Sequence, residues 1–538
     1  MKQCGFMVKQ EGKEMVNHET NEGRMENKIR LGEILYWVFW CSILFAKGLG
    51  LYDGQKSFKV ILVIATICLI YKICIEEYTM AEYAYVAVIV GITAITYLAS
   101  GEKGLLLYGM MIVGMKNVDL KRLFRIGTVI WGIAFCSITV ASLFHMEDTV
   151  YKIHSKLGMG HIFRWSLGYP HPNVLHVSYL VLAMFVIYVL EDNFKLRHGA
   201  TLLLGNCLVF LYSVSYTGFI IVSFLLCGRV YLLWRKKLCV GEKILIQMFF
   251  PLCVFGSIAA PVLIKGELFL FLNDLLSTRM ELAWRYLKPE YISLFGIRVA
   301  EITTERLTMD NSYLFALITY GVIPFLVICV ATIYMIYRYL KMDKYIEVLL
   351  MLAIALGGIT EPFLYNTSFK NLSFLFMGTL FFNIEFSMKR WVILPNRNKF
   401  LNINMKGIER GKEIIKVIGK VSFTKIMAGF FGGILMIILA NCLVTYPSGY
   451  VFYRTDCSDL TKNKNYYQES DERYFGYRRM GEFEDGDEVE FFSGNIVKVE
   501  KVRCGVSSVV LGFGCGYAVC GIICLIYRKK RELGQYEK

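Results

Sequence analysis

Blocks of predominantly apolar residues, most of them about 17 to 25 long, recur along the whole chain and leave few folds open to it. A hydrocarbon core roughly 30 Å thick is crossed by about 20 apolar residues in a helix. Inside it every backbone N–H and C=O must be satisfied within the protein, which favours helices. The blocks fall near 31–49, 58–75, 80–99, 104–116, 123–144, 174–190, 199–215, 217–234, 244–264, 312–337, 346–362, 371–387, 424–445 and 506–527. The expected fold is therefore an all-α polytopic membrane protein with about 14 transmembrane helices. The fourth block is short, and only the turn at Ser215-Tyr216-Thr217 parts the seventh from the eighth. With 56% of residues apolar and 19% charged, a soluble enzyme, a disordered chain and a coiled coil are excluded.

Charge supplies the orientation. The net charge of +15 is gathered at block ends, as in Lys121, Arg122 and Arg125, or Arg235, Lys236 and Lys237, or Arg528 to Arg531. With both termini cytosolic, 14 Lys and Arg fall in the short inner loops 76–79, 116–125, 191–198, 229–243 and 338–344. The short outer loops hold five: Lys47, Lys56, Lys59, Lys103 and Lys370. That bias is the positive-inside pattern. It also disfavours nucleic acid as a partner, because no basic face is interleaved with aromatic stacking groups. Residues 1–30 read as a polar cytosolic tail rather than a signal peptide. The 12-span core covers 31–388, a basic cytosolic linker 389–423 suits anionic headgroups of the membrane lipid, and a two-span tail covers 424–538. Three longer segments then face outward: 145–173, 265–311 and 446–505.

Chemistry concentrates in those outer segments. Five of the seven histidines (His145, His154, His161, His171 and His176) lie between 145 and 176, beside Arg164 in the string R-W-S-L-G-Y-P-H-P-N, Arg164 to Asn173. Glycine and two prolines make that string a structured turn before a span. Arg164 is either a snorkelling side chain or an anion-binding cation beside imidazoles that can act as donors or bases. In the second segment, apolar residues recur at three- and four-residue spacing from Leu268 to Leu287, the pattern of one interfacial amphipathic helix over 268–288 carrying Arg279 and Arg285. Arg298, Glu301, Glu305, Arg306 and Asp310 follow. Asp310 or Asn311 can cap the span that starts at Ser312, and Asp310 serves equally well as a catalytic carboxylate. Glu361 closes another span, with Asn366, Lys370 and Asn371 just beyond; a carboxylate at membrane depth is a functional candidate, unless the interface hydrates it.

No metal and no cofactor is expected. No cysteine pair combines with histidines at zinc spacing. The D-G-D at Asp485 to Asp487 sits in an expected turn, and no phosphate-binding glycine loop or hydrolase motif occurs. The outer part of the tail carries E-V-E-F-F (Glu488 to Phe492), a turn, and I-V-K-V-E-K-V (Ile496 to Val502), the signature of a β-hairpin in a small β-containing module at 446–505. Cys457 and Cys504 either staple that module or stay reduced. The tail, 424–538, reads as a module separable from the core.

Taken in order, Arg164 to Asn173, S-Y-T-G-F (Ser215 to Phe219), L-N-D-L-L-S-T-R (Leu272 to Arg279), L-F-G (Leu294 to Gly296), D-N-S-Y-L with Y-G-V-I (Asp310 to Ile323) and T-E-P-F (Thr360 to Phe363) resemble the Wzy-type O-antigen and capsular polysaccharide polymerases. The resemblance spans about 31–388, and the related O-antigen ligases share its architecture. It implies a metal-independent glycosyltransferase of a bacterial cell membrane that joins undecaprenyl-diphosphate-linked oligosaccharide repeat units at the outer face, with chain-length regulator proteins as possible partners. It assigns the diphosphate to Arg164 and Arg279. Two departures stand out: Thr278 where glycine is expected before the arginine, and Tyr216 where arginine is frequent before Thr217.

Physical chemistry agrees with this assignment. A lipid diphosphate carries its charge at headgroup level, and arginine meets it with a bidentate fork and a permanent charge. The acceptor hydroxyl needs a base, for which His171, Asp310 and Glu361 are rivals. Asn173, Arg285, Arg298, Arg306, Asn311 and Tyr313 are the substrate-binding candidates. The alternative is a lipid-oligosaccharide flippase or polysaccharide exporter, which needs charges lining a cavity between helices rather than outer loops.

Overall fold

The computed structural model describes residues 28–51, 53–144, 151–155, 161–235, 237–276, 278–298, 309–382, 398–402, 422–443, 451–454, 466–468, 489–492 and 495–536. Its helices are α1 (Leu31–Gly48), α2 (Lys56–Ile75), α3 (Met80–Ser100), α4 (Gly104–Val113), α5 (Leu120–Phe144), α6 (Pro172–Leu190), α7 (Leu196–Ser213) and α8 (Tyr216–Trp234). They continue as α9 (Val240–Leu263), α10 (Glu267–Leu275), α11 (Arg279–Tyr286), α12 (Ser312–Phe315), α13 (Val322–Lys341), α14 (Tyr345–Gly358), α15 (Ser373–Phe382), α16 (Phe423–Leu443) and α17 (Asn495–Tyr536). The protein is an all-α polytopic membrane protein. Among the described residues ten helices are long and apolar enough to cross a bilayer. Helices α4, α14 and α15 are apolar but shorter, and α7 occupies the seventh expected block without reaching that threshold.

The chain divides into two compact units, residues 30–144 with 166–399, and residues 1–29 with 145–165 and 400–538. The first outer segment thus divides at Trp165, and its earlier part groups with the tail rather than with the core that the sequence suggests. In the larger unit, α6 and α14 are packed on most sides, and nearly every α14 side chain is buried. Helices α2 and α9 instead present apolar side chains outward, among them Val60, Val63, Ile67 and Ile70, and Leu245, Leu252 and Phe255. In water such bands would be aggregation-prone; in lipid they are the ordinary surface.

Two breaks in expected helices shape this unit. The block at 312–337 is not one helix. After α12 the chain makes a π-turn over Ala316–Tyr320, and Gly321 at φ +87° restarts it as α13. The amides of Val322 and Ile323, freed from the helical ladder, donate to the carbonyls of Ser293 and Leu294 at 2.9 and 3.1 Å. The L-F-G string is therefore docked on Y-G-V-I. Gly296 (φ +91°) and Gly321 meet there so closely that a Cβ on Gly296 would lie 1.9 Å from the Thr319 carbonyl oxygen. The expected amphipathic helix over 268–288 is likewise split, into α10 and α11. Thr278 stands between them at φ +66°, and its amide donates to Asn273 O at 2.7 Å.

In the smaller unit the strands Tyr151–Ser155 and His161–Trp165 pair antiparallel, with Lys152 opposite Arg164. Strand Val451–Arg454 pairs with both Tyr466–Gln468 and Val489–Phe492. The second arm of the expected hairpin, Ile496 to Val502, is helical instead. It opens α17 and runs without interruption into the last span, because Ile496, Val499, Val502 and Val506 recur at helical rather than strand spacing. Cys504 carries a free thiol on that helix, while Cys457 and the D-G-D lie outside the described residues.

Candidate functional site

The site in the larger unit is built where helices begin and end. Asn173 is the second residue of α6 and Thr217 the second of α8; Arg279 opens α11; Asp310 and Asn311 precede α12; Thr360 and Glu361 follow α14. Glycine at 218 lets α8 close on α6, since a Cβ there would meet the His176 ring at 2.5 Å.

Arg279 is the hub. Its Nε donates to the Thr360 carbonyl at 2.9 Å and its Nη1 to the Leu276 carbonyl at 3.1 Å. Its Nη2 lies 3.4 Å from Asp310 Oδ2 and 3.5 Å from Glu361 Oε1. The same Glu361 oxygen accepts from Asn173 Nδ2 at 2.8 Å and Thr217 Oγ1 at 3.2 Å. Behind it, Ser312 Oγ donates to the Glu361 carbonyl and accepts from the Leu364 amide. The Glu361 side chain is 8% exposed and that of Asp310 is 34% exposed. A small cleft is lined by Arg279, Asp310, Asn311, Met309, Tyr286 and Leu314 among others. Two long helices, α6 and α8, aim their N-termini at this cluster, adding positive potential to the guanidinium.

This geometry resolves several roles that the sequence leaves open. Asn311 is the cap of α12, its Oδ1 accepting from the amides of Tyr313 and Leu314 at 2.9 and 3.1 Å, which leaves Asp310 to pair with Arg279. His171 caps α6 through Nδ1, which accepts from the Asn173 amide at 3.0 Å. In that pose the neutral ring carries its proton on Nε2, making it a donor rather than a base. Tyr313 is fully buried, and its hydroxyl donates to the Ala355 carbonyl at 2.6 Å. Arg285 pairs with Glu281 one turn away at 2.7 Å on an exposed face. Arg298 is exposed near the end of the described loop, and Arg306 lies outside the described residues. Arg164 belongs to the smaller unit, where it is buried on its strand. His176 is a core residue, with Ser213 Oγ and Asn206 Oδ1 at 3.1 and 2.7 Å from its ring nitrogens. Thr217 and Thr360 are not functional candidates on sequence alone. The polar second residue of a helix is a weak signal for Thr217, and nothing in a side chain marks Thr360, which acts through its carbonyl. Among the described residues no cluster of three His, Cys, Asp or Glu is arranged to hold a metal ion.

Thr278 occupies the position where the resemblance expects glycine, and its backbone shows why. A left-handed conformation costs a β-branched residue about 1–2 kcal/mol. Thr278→Gly, which relieves that strain, is expected to raise the unfolding temperature by a few degrees. Thr278→Pro, which forces φ to about −65° and removes the amide bonded to Asn273 O, is expected to lower it by several degrees. Thermal unfolding of the solubilised protein measures both, and equal midpoints for the two variants would show that the left-handed turn carries no strain.

Lys370, in the loop after α14, is buried. Its Nζ donates to Ser178 Oγ at 2.8 Å and stands over the Tyr169 ring. Burial, helped by the charge of Lys47 and opposed by Glu361, brings its pKa down to about 7. The folded amine sheds its proton near there, whereas the unfolded one holds it to about 10.4. Between these values the unfolded chain binds more protons, so stability rises with pH from about 7 and levels off near 10. Lys370→Met is expected to raise the unfolding temperature at pH 6 by a few degrees and to flatten that rise, as thermal unfolding across pH would show; an unchanged slope refutes it.

Comparison of the chain with protein-family models, with curated proteins and with solved structures finds no match.

Proposed function

We propose that this protein is a metal-independent membrane glycosyltransferase of the Wzy type, polymerising oligosaccharide repeat units carried on undecaprenyl diphosphate at the outer face of a bacterial cell membrane. The finer architecture belongs to the same proposal: both termini cytosolic, twelve core spans and a two-span tail with an outer β-containing module. One observation carries the reading. Arg279 is held by two carbonyls and a buried carboxylate, yet it lines a small cleft shared with the partly exposed Asp310.

Chemically, the acceptor's hydroxyl oxygen attacks the anomeric carbon of the growing chain. The bond from that carbon to the diphosphate oxygen breaks, and the lipid diphosphate leaves with the electron pair. Arg279 and the N-termini of α6 and α8 stabilise the charge that develops, as a preorganised cation does without reorganising. Asp310, the accessible carboxylate, takes the hydroxyl proton. Glu361, with its Oε1 already engaged by Asn173, Thr217 and Arg279, positions the guanidinium instead of acting as base. Arg164 enters through the resemblance, as a second cation for the lipid-linked substrate.

The test is a deletion strain. Loss of the gene is expected to leave single lipid-linked repeats accumulating on the outside of the membrane, and the cloned gene to restore polymer. Repeats retained inside would identify a flippase; polymer made but left on its lipid carrier would identify a ligase-like transfer.

A further inference from the structure

The strand that carries Arg164, His161–Trp165, packs against α17 of the tail. The joint is polar yet dry. Trp165, Glu500 and Arg503 are 1%, 4% and 1% exposed. The Trp165 indole N–H reaches both carboxylate oxygens of Glu500, at 3.1 and 3.2 Å, across 335 residues of sequence. The same carboxylate pairs with Arg503 one turn along the helix, at 2.5 Å.

An i,i+3 ion pair on a helix is normally left to water, where it contributes little. Buried, it is stable only if the remaining oxygen valences are filled. An indole N–H is a donor and nothing else, so the strand offers the one kind of group this carboxylate needs. Apolar packing tolerates sliding, whereas a hydrogen bond to a buried charge has direction and is stronger than a neutral one. Successive strand residues project to opposite faces. Seating Trp165 on α17 therefore fixes both the pleat and the face of the strand on which Arg164 lies.

We propose that Trp165 and Glu500 are positioning residues, through which the C-terminal helix holds the Arg164 strand in its working orientation. The consequence for function rests on the polymerase reading above. It reverses the expectation that the tail is separable: deleting 424–538 removes the seat of the strand and lowers polymerisation itself.

The test uses the full-length membrane protein with Arg164→Cys as a reporter, labelled by an impermeant maleimide and read by mass spectrometry on the peptide containing position 164. Trp165→Phe removes the donor alone and is expected to raise the labelling rate about tenfold. The paired change Glu500→Leu with Arg503→Leu, which leaves no orphaned charge, should do the same, and combining all three should add nothing. In the chain with Arg164 intact, Trp165→Phe should lower polymer per inserted protein about tenfold. In an Arg164→Ala background it should leave the residual polymer unaltered, an epistasis that general destabilisation would not produce. Labelling at the unmodified rate in both the Trp165 and the Glu500/Arg503 variants overturns the proposal. If labelling rises but Arg164→Ala itself makes normal polymer, the polymerase role of Arg164 has failed, and the functional half of the proposal falls with it.

Discussion

Arg279→Ala is expected to lower polymer formed per inserted protein about a hundredfold. Removing one preorganised donor from a group that gains negative charge in the transition state raises the barrier by on the order of 3 kcal/mol. Arg279→Lys should recover only part of this. The guanidinium serves the Thr360 and Leu276 carbonyls and two carboxylates at once, and an ammonium on a flexible stem keeps the charge while losing the fork. Arg285→Ala is the control: its exposed pair with Glu281 contributes little, and polymer should stay within about twofold. A snorkelling arginine would behave differently, tolerating lysine and losing protein level rather than turnover when truncated. Normal polymer from Arg279→Ala would remove the residue from the mechanism.

The two carboxylates beside Arg279 should separate in their effects. Glu361→Ala strips the acceptor of Asn173 and Thr217 and leaves a largely buried cation short of its counter-charge. Breaking such a pair from one side costs about 3–5 kcal/mol when it is fully buried; Asp310, still 3.4 Å away and partly hydrated, places the expected loss toward the lower end. Glu361→Ala should therefore lower both the unfolding temperature, by several degrees, and the yield of inserted protein. Glu361→Gln keeps an acceptor for Asn173 and should recover part of the stability. Asp310→Asn should leave stability nearly unaltered and reduce turnover at least a hundredfold, if it is the proton acceptor. Thermal unfolding of solubilised protein, read beside polymer per inserted protein, separates the two. A stable, inactive Glu361→Gln together with a fully active Asp310→Asn would exchange their roles.

Much of the architecture is legible in one dimension because the bilayer writes it there. A run of about 20 apolar residues has one outcome in lipid, and blocks such as 58–75 and 244–264 became α2 and α9 within a few residues of their expected ends. Arg279, Asp310 and Glu361 were equally visible, since a charged group beside a span is rare enough to be a candidate by its presence alone. Local periodicity misled where a distant partner supplied what the helix gave up. The break at Gly321 is offset by hydrogen bonds to the carbonyls of Ser293 and Leu294, and the split at Thr278 is closed on the carbonyl of Asn273; neither acceptor follows from spacing.

The class of the protein, the rough position of its spans and the handful of polar residues at their ends can be read without the fold. Hydrophobic periodicity and charge are sums over neighbours in the chain, so they survive without knowledge of the fold. The tertiary structure alone decided which of those polar residues meet. Asn173, Thr217, Arg279, Asp310 and Glu361 come from five separate elements and converge on one carboxylate–guanidinium cluster, and Trp165 finds Glu500 from the far end of the chain. A hydrogen bond a few ångströms long carries no trace of the residues between its ends, so no window on the sequence could have contained it.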